Sequence, residues 1–256
     1  RVVPAGEDSC VSDAGIGIYQ AAFSEAVREY IDPEFITLDW LHNPSPELRE
    51  LALHKHILDS RLYERHRLTG LFSPKFFSKT NLTSAQVRRW IARNPGHEVY
   101  GFNGRSFVPY VAYNSIERGA FLFPGFEQGV RQVCREIGFD LPAQPARQTN
   151  AQSLQCNYWC ATPEFWERWG KEIVYPIFEI ARRGNSLAGA VFSVTPYRSP
   201  TPVFLIAFIY EVLISNYIQA NNIQSVMYPW SPEEILDLTL PEPVKGYLAQ
   251  NIPWID

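Results

Sequence analysis

Apolar residues along this chain alternate between short uninterrupted runs and helical stripes, and that alternation sets the first expectations. The run Gly15 to Phe23 is apolar almost throughout, as a strand is when both faces are buried at the middle of a parallel sheet. Ser24 to Ile31 then predicts a short helix capped by Ser24 and closed by Asp32-Pro33. Phe35 to Trp40 leads into a loop marked by Pro44 and Pro46. Glu47 to Leu68 predicts a helix with Leu48, Leu51, Leu58 and Leu62 on its apolar side. His54 and His56 point to different faces of it and read as surface or edge histidines. The stretch Gly70 to Tyr100 predicts a loop, a helix and a strand in succession. Its helix is capped by Thr83 or Ser84, carries Val87, Trp90 and Ile91 inward, and stops at Asn94-Pro95-Gly96.

Two further apolar runs, Phe107 to Tyr113 and Asn114 to Phe123, precede an amphipathic helix over Gly125 to Ile137 that Gly138 ends in a left-handed cap. Asp140 to Gln152, polar with prolines, is the best candidate for a mobile loop. Leu154 to Ala161 predicts a strand. Thr162, Pro163 and Glu164 have the chemistry of a helix start, and that helix runs toward Ile180 with a kink at Pro176. A long connection over 184–202 holds a short Val191 to Val194 run. Phe204 to Ala220 predicts a buried helix, Asn221-Asn222 breaks it, and Ile223 to Tyr228 predicts a strand. Helices alternating with short apolar strands imply an α/β layered domain, one unit over 1–256 with a polar tail at 1–14 and a surface wrap at 230–256.

Composition changes this picture little. Hydrophobic residues are 46%, charged residues 20% and the formal charge −4, an ordinary globular balance and not that of a generic nucleic-acid binder. Cys10, Cys134, Cys156 and Cys160 are too dispersed for a disulfide framework, and the three-residue gap between the last two disfavours zinc. With no spanning-length apolar run and no basic segment leading into an apolar core, the expectation is a cytoplasmic chain without a transmembrane segment.

The familiar phosphate-loop, dinucleotide, hydrolase-elbow and zinc-helix motifs are absent, and so is an Asp-x-Asp pair that would hold a divalent cation against a diphosphate. No visible motif requires a metal. A diphosphate would then need fixed cations, and Lys75 and Lys79, with Arg88 and Arg89 nearby, are the nearest supply. Glu211 is the most informative acid, because a carboxylate in Ile206 to Ile214 costs several kcal/mol unless paired or hydrogen-bonded. It is a structural ion-pair partner or a tuned site acid. Asp39, Glu117 and Glu164 are weaker candidates, and helix capping suffices to explain Glu164.

With those residues laid out, the chain resembles a group of bacterial glycosyltransferases and polysaccharide-synthesis modules. The resemblance is carried by Ile18-Tyr19-Gln20, Asp32 to Phe35, the Ser73 to Thr80 loop, Cys156 to Trp159, Pro163 to Trp166 and the apolar run around Glu211. It implies a GT-A-like nucleotide-sugar-binding architecture, a single mixed, mostly parallel sheet flanked by helices, and sugar transfer to a glycan acceptor in surface polysaccharide synthesis, within a larger or membrane-associated assembly. Ser73, Lys75, Lys79, Thr80 and Asn157 are then the residues expected at the donor, with Glu211 or Glu117 as base for the acceptor hydroxyl. The chain departs from the pattern where Arg118-Gly119-Ala120 and Phe123-Pro124-Gly125 replace an expected acid and histidine. The alternative is a non-catalytic glycan-binding or scaffolding module in which Tyr158, Trp159, Trp166 and Trp169 form a sugar platform.

Overall fold

A computed structural model describes residues 15–104, 107–183, 186–197, 201–237, 246 and 248–250. The expected tail at 1–14, and with it Cys10, lies outside the described residues, as does most of the wrap beyond 237. In chain order the strands are β1 (Ile16–Ala22), β2 (Ile36–Asp39), β3 (Leu68–Phe72), β4 (Val99–Gly101), β5 (Trp159–Ala161) and β6 (Ser225–Met227). The helices are α1 (Glu25–Arg28), α2 (Glu50–Asp59), α3 (Phe76–Thr80), α4 (Ser84–Arg93), α5 (Val108–Val111), α6 (Ser115–Leu122), α7 (Phe126–Ile137), α8 (Pro163–Trp169), α9 (Tyr175–Arg183), α10 (Ser186–Val191), α11 (Leu205–Ala220) and α12 (Pro232–Asp237).

The strands form one mixed sheet in the order β2-β1-β3-β5-β4-β6. β1 pairs in parallel with both β2 and β3, β5 runs antiparallel to β3 and β4, and β4 is parallel to β6, so β5 alone opposes the common direction. Successive strand residues point to opposite faces. Tyr19, Leu71, Val99 and Trp159 accordingly enter one core, and Ile18, Phe72, Tyr100 and Cys160 enter the other. Helices α2 and α6 to α11 contribute to the first core; α3, α4, α5 and α12 contribute to the second. The mixed α/β architecture with helices on both faces is the one expected.

Several boundaries differ for identifiable reasons. Ser24 makes no side-chain cap, and α1 spans only Glu25–Arg28 with no buried residue to hold it longer. The helix expected from Glu47 to Leu68 is α2 alone, flanked by short 3-10 turns at Pro46–Leu48 and Leu62–Glu64. Its expected end is β3, which is buried at every position, so the Gly70 stretch opens on a central strand before its loop. The Thr83 cap holds, as a reciprocal capping box with Gln86. Gly138 adopts φ of +77° and closes α7 as expected. The segment 154–158 is a turn leading into the short β5. Thr162 accepts the Phe165 N–H and starts α8, and the irregularity ahead of Pro176 is a π-helical turn over Gly170–Val174. The connection after 184 contains α10. The expected mobile loop at 140–152 has no helix or strand but is tied down, with Arg131 donating to the Pro142 and Ala143 carbonyls and the Gln148 side chain accepting the Ser115 N–H.

His54 is a correction to the sequence reading. It is fully buried, with Nδ1 on the Tyr210 hydroxyl and Trp159 and Trp166 packed edge-on around it. Leu51, Ile57 and Leu58, one turn away on either side and all buried, place it on the inward side of α2, which a two-residue comparison with His56 does not reveal.

Candidate functional site

The chain leaves β1 for β2 on one side and returns to place β3 on the other, so the sheet reverses its build direction at the β1/β3 pair. Ligands of open α/β sheets bind outside the carboxyl ends of the strands at such a reversal. That edge carries the segment after β3, from Ser73 to Lys79, and the segment entering β5, Cys156 to Tyr158.

The two segments are joined side chain to side chain. The Ser73 hydroxyl bonds the Tyr158 hydroxyl at 2.7 Å, and the Gln20 amide of β1 donates to the Ser73 carbonyl at 3.2 Å. Lys79 Nζ donates to Cys156 Sγ at 3.3 Å and lies 5.5 Å from the centre of the Tyr158 ring, a cation over an aromatic face. Cys156 N–H in turn donates to Glu211 Oε1 at 2.7 Å, while the other carboxylate oxygen takes no hydrogen bond from a described residue. Gly104 closes the group from the β4 side, where a Cβ would meet the Tyr158 ring at 2.7 Å.

Charge is held here in spite of burial. Burial works against the Lys79 ammonium, but Cys156, Tyr158, Glu211 and Glu50 around it raise its pKa above the ordinary lysine value. Burial and the Glu211 charge push the Glu50 carboxyl upward. Glu50 is the first residue of α2, and no pattern in its polar surroundings singled it out. Backbone strain gathers at the same place. Arg49, Cys156 and Asn157 all take positive φ, of 52°, 66° and 54°, in a region where side chains other than glycine are disfavoured. Strained residues of this kind persist only where the surroundings over-determine them, and they concentrate at ligand sites. Asn157 is buried, and its Oδ1 has no hydrogen-bond partner, an acceptor held ready at the turn.

Comparison with protein-family models, with curated proteins and with solved structures found no match to this chain.

The structure thus brings together Ser73, Lys79, Asn157 and Glu211 from the sequence candidates and adds Glu50, Cys156 and Tyr158. Lys75 is solvent-exposed at the start of α3, on the rim of the same loop. Thr80 is turned away: its buried hydroxyl donates to the Phe76 carbonyl and accepts the Leu82 N–H, so it shapes the end of α3. Arg88 reaches the Ile16 and Glu34 carbonyls, beside the amino ends of β1 and β2 on the opposite edge, and Arg89 is exposed on the same helix. Neither arginine supplies charge to this cluster. Glu117 is exposed on α6, accepts the Tyr113 N–H, and lines depressions that include none of the clustered residues. Asp39 is tied up by the Leu41 N–H and the Arg28 guanidinium, which hold its pKa below the usual carboxylate value. Glu164 lies in the first turn of α8, where the helix dipole accounts for it.

The expected aromatic platform is overturned. Tyr158, Trp159, Trp166 and Trp169 are all buried, with Trp166 bonded to the Thr69 carbonyl and Trp169 to the Tyr210 hydroxyl. These rings pack the core and offer no face to a sugar. Among the described residues no group of three or more His, Cys, Asp or Glu gathers to hold a metal ion, and no helix is long and apolar enough to cross a membrane.

Proposed function

We propose that this chain is a GT-A-like glycosyltransferase domain that takes its sugar from a nucleotide-sugar and transfers it to a glycan acceptor. The observation that carries the reading is the Lys79 ammonium, kept charged beside Glu211 at the carboxyl edge next to the sheet reversal. A half-buried, desolvated cation stabilises a departing diphosphate more than one in water does, and it costs no reorganisation at the moment of transfer.

The donor diphosphate sits against Lys79 with Lys75 on its outer side, and Asn157 Oδ1 accepts a hydrogen bond from a hydroxyl of the donor sugar. An acceptor hydroxyl oxygen attacks the anomeric carbon while the bond from that carbon to the diphosphate oxygen breaks. The electron pair leaves with the diphosphate, whose added charge Lys79 and Lys75 meet, and the hydroxyl proton passes to Glu211. Burial and the Glu211 charge push the Glu50 carboxyl upward, and Glu211 and Glu50 both favour the charged form of Lys79.

A thermal-shift screen of nucleotides and nucleotide-sugars, with and without Mn²⁺, tests the proposal, because a ligand that binds only the folded state raises its melting temperature. At least one nucleotide-sugar should raise it, and Lys79→Ala should weaken that binding by about tenfold or more. No shift with any nucleotide sinks the transferase reading.

A further inference from the structure

Two adjoining depressions lie between α5, the outer face of α6 and residues 143–147. One, of about 320 Å³, is lined by Pro109, Tyr110, Tyr113, Glu117, Phe121 and Arg147 among others. The other, of about 510 Å³, lies against Asn114, Glu127, Arg131 and residues 143–146. Tyr113 and Glu117 line both and so form the wall between them. Volumes of this size hold small organic ligands.

The lining specifies the chemistry of such a ligand. Tyr113 is 53% exposed and Phe121 68%, so two large rings stand uncovered beside polar groups. Glu117 Oε2 is fixed by the Tyr113 N–H, and Oε1 takes no hydrogen bond from a described residue. Arg147 spends one N–H on the Pro109 carbonyl at 3.4 Å, and its other donors take no hydrogen-bond partner among the described residues. The charges alternate in sign, and Arg131 is already committed to Glu127 and to two carbonyls. Alternating charge gives no net attraction for a phosphate or for a polycation. A neutral ligand with apolar ring faces and many hydroxyls matches aromatic rings, a carboxylate acceptor and a guanidinium donor together. That is a saccharide, and two depressions sharing a wall fit linked rings better than one.

We infer that the ridge formed by Tyr113 and Glu117 binds a neutral oligosaccharide, one ring on each side. Its role as the acceptor chain rests on the proposed transferase reading; the binding itself does not.

The experiment is saturation-transfer NMR followed by titration of the whole chain with cellotetraose, maltotetraose and chitotetraose. At least one of the three should bind. Tyr113→Ala and Phe121→Ala should each weaken it about two- to tenfold, the range of one lost aromatic contact. Glu117→Gln, which keeps an acceptor for the Tyr113 N–H, should weaken it as well, and Arg89→Ala, at an exposed position of α4, should leave it unchanged. Binding of none of the three, full binding by both aromatic variants, or loss of binding in Arg89→Ala overturns the inference. Oligosaccharide binding without any nucleotide-sugar binding removes the transferase proposal and leaves this one standing; nucleotide-sugar binding alone does the reverse.

Discussion

Tyr210 and Glu211 are neighbours on α11, yet they face regions that handle buried polar groups in opposite ways. On the Tyr210 side every group is neutral. Trp169 donates to the Tyr210 hydroxyl at 2.7 Å, and the same hydroxyl shares a hydrogen bond with His54 Nδ1. His54 Nε2, buried among the Trp159 and Trp166 rings, has no hydrogen-bond partner among the described residues. On the Glu211 side the groups are charged, the backbone is strained at Cys156 and Asn157, and acceptors are left open. A helix turns about 100° per residue, so one step along α11 crosses from packing to chemistry. Polar burial alone therefore does not mark a site in this protein; charge, strain and unfilled hydrogen-bond capacity together do.

The largest test of that contrast is pH. Burial lowers the His54 pKa from the ordinary 6.5 to about 3, so between those values the unfolded chain binds a proton that the folded chain does not. The contribution is fully present above pH 6.5 and is lost as pH falls toward 3, about 4–5 kcal/mol in total. Chemical denaturation of wild type and His54→Leu at pH 7 and 4.5 should show a distinctly smaller pH difference in the variant. Equal differences would mean that His54 is not held neutral.

Next in size, Tyr210→Phe leaves Trp169 Nε1 and His54 Nδ1 without their partner and should cost about 1–3 kcal/mol in urea denaturation. Its neighbour should behave differently. Glu211→Gln keeps an acceptor for the Cys156 N–H, so the stability loss should be smaller, while the transfer rate should fall about 100-fold or more with loss of the base. A Glu211→Gln enzyme that is destabilised like Tyr210→Phe but fully active would erase the distinction between the two sides of α11.

Smaller still is Asn157→Gly, which relieves a left-handed residue and removes an unpaired buried acceptor. It should stabilise the fold by up to about 1 kcal/mol while weakening nucleotide-sugar binding, the usual opposition of stability and function at strained sites. Lys75→Ala should have the least effect on folding, with an unchanged melting temperature and a reduced ligand-induced shift; an unchanged shift would remove Lys75 from the donor rim.

Much of the fold was legible because local chemistry decided it. The Thr83 capping box, the Gly138 cap, the Thr162-Pro163 helix start and the apolar continuity of β1 and α11 each depend on residues close in sequence. β3 was hidden because Thr69 and Gly70 interrupt its apolar run, and its burial comes from β1 and β5, which are distant in sequence. Lys79 and Glu211 stood out in the sequence for similar reasons, a cation among aromatics and an acid in an apolar helix.

What the sequence determined by itself, then, was an alternation of helices and strands and a short set of charged residues in apolar settings, since both follow from local propensity and the cost of burying charge. Only the tertiary structure decided which of those residues meet. It joined Lys79 to Cys156 and Glu211 and brought in Glu50, while sending Arg88 to the opposite edge and the tryptophans into the core. The physical reason is the sheet: β5 runs against its neighbours, and its amino end carries Cys156 to Tyr158 to the edge where β3 delivers Lys79.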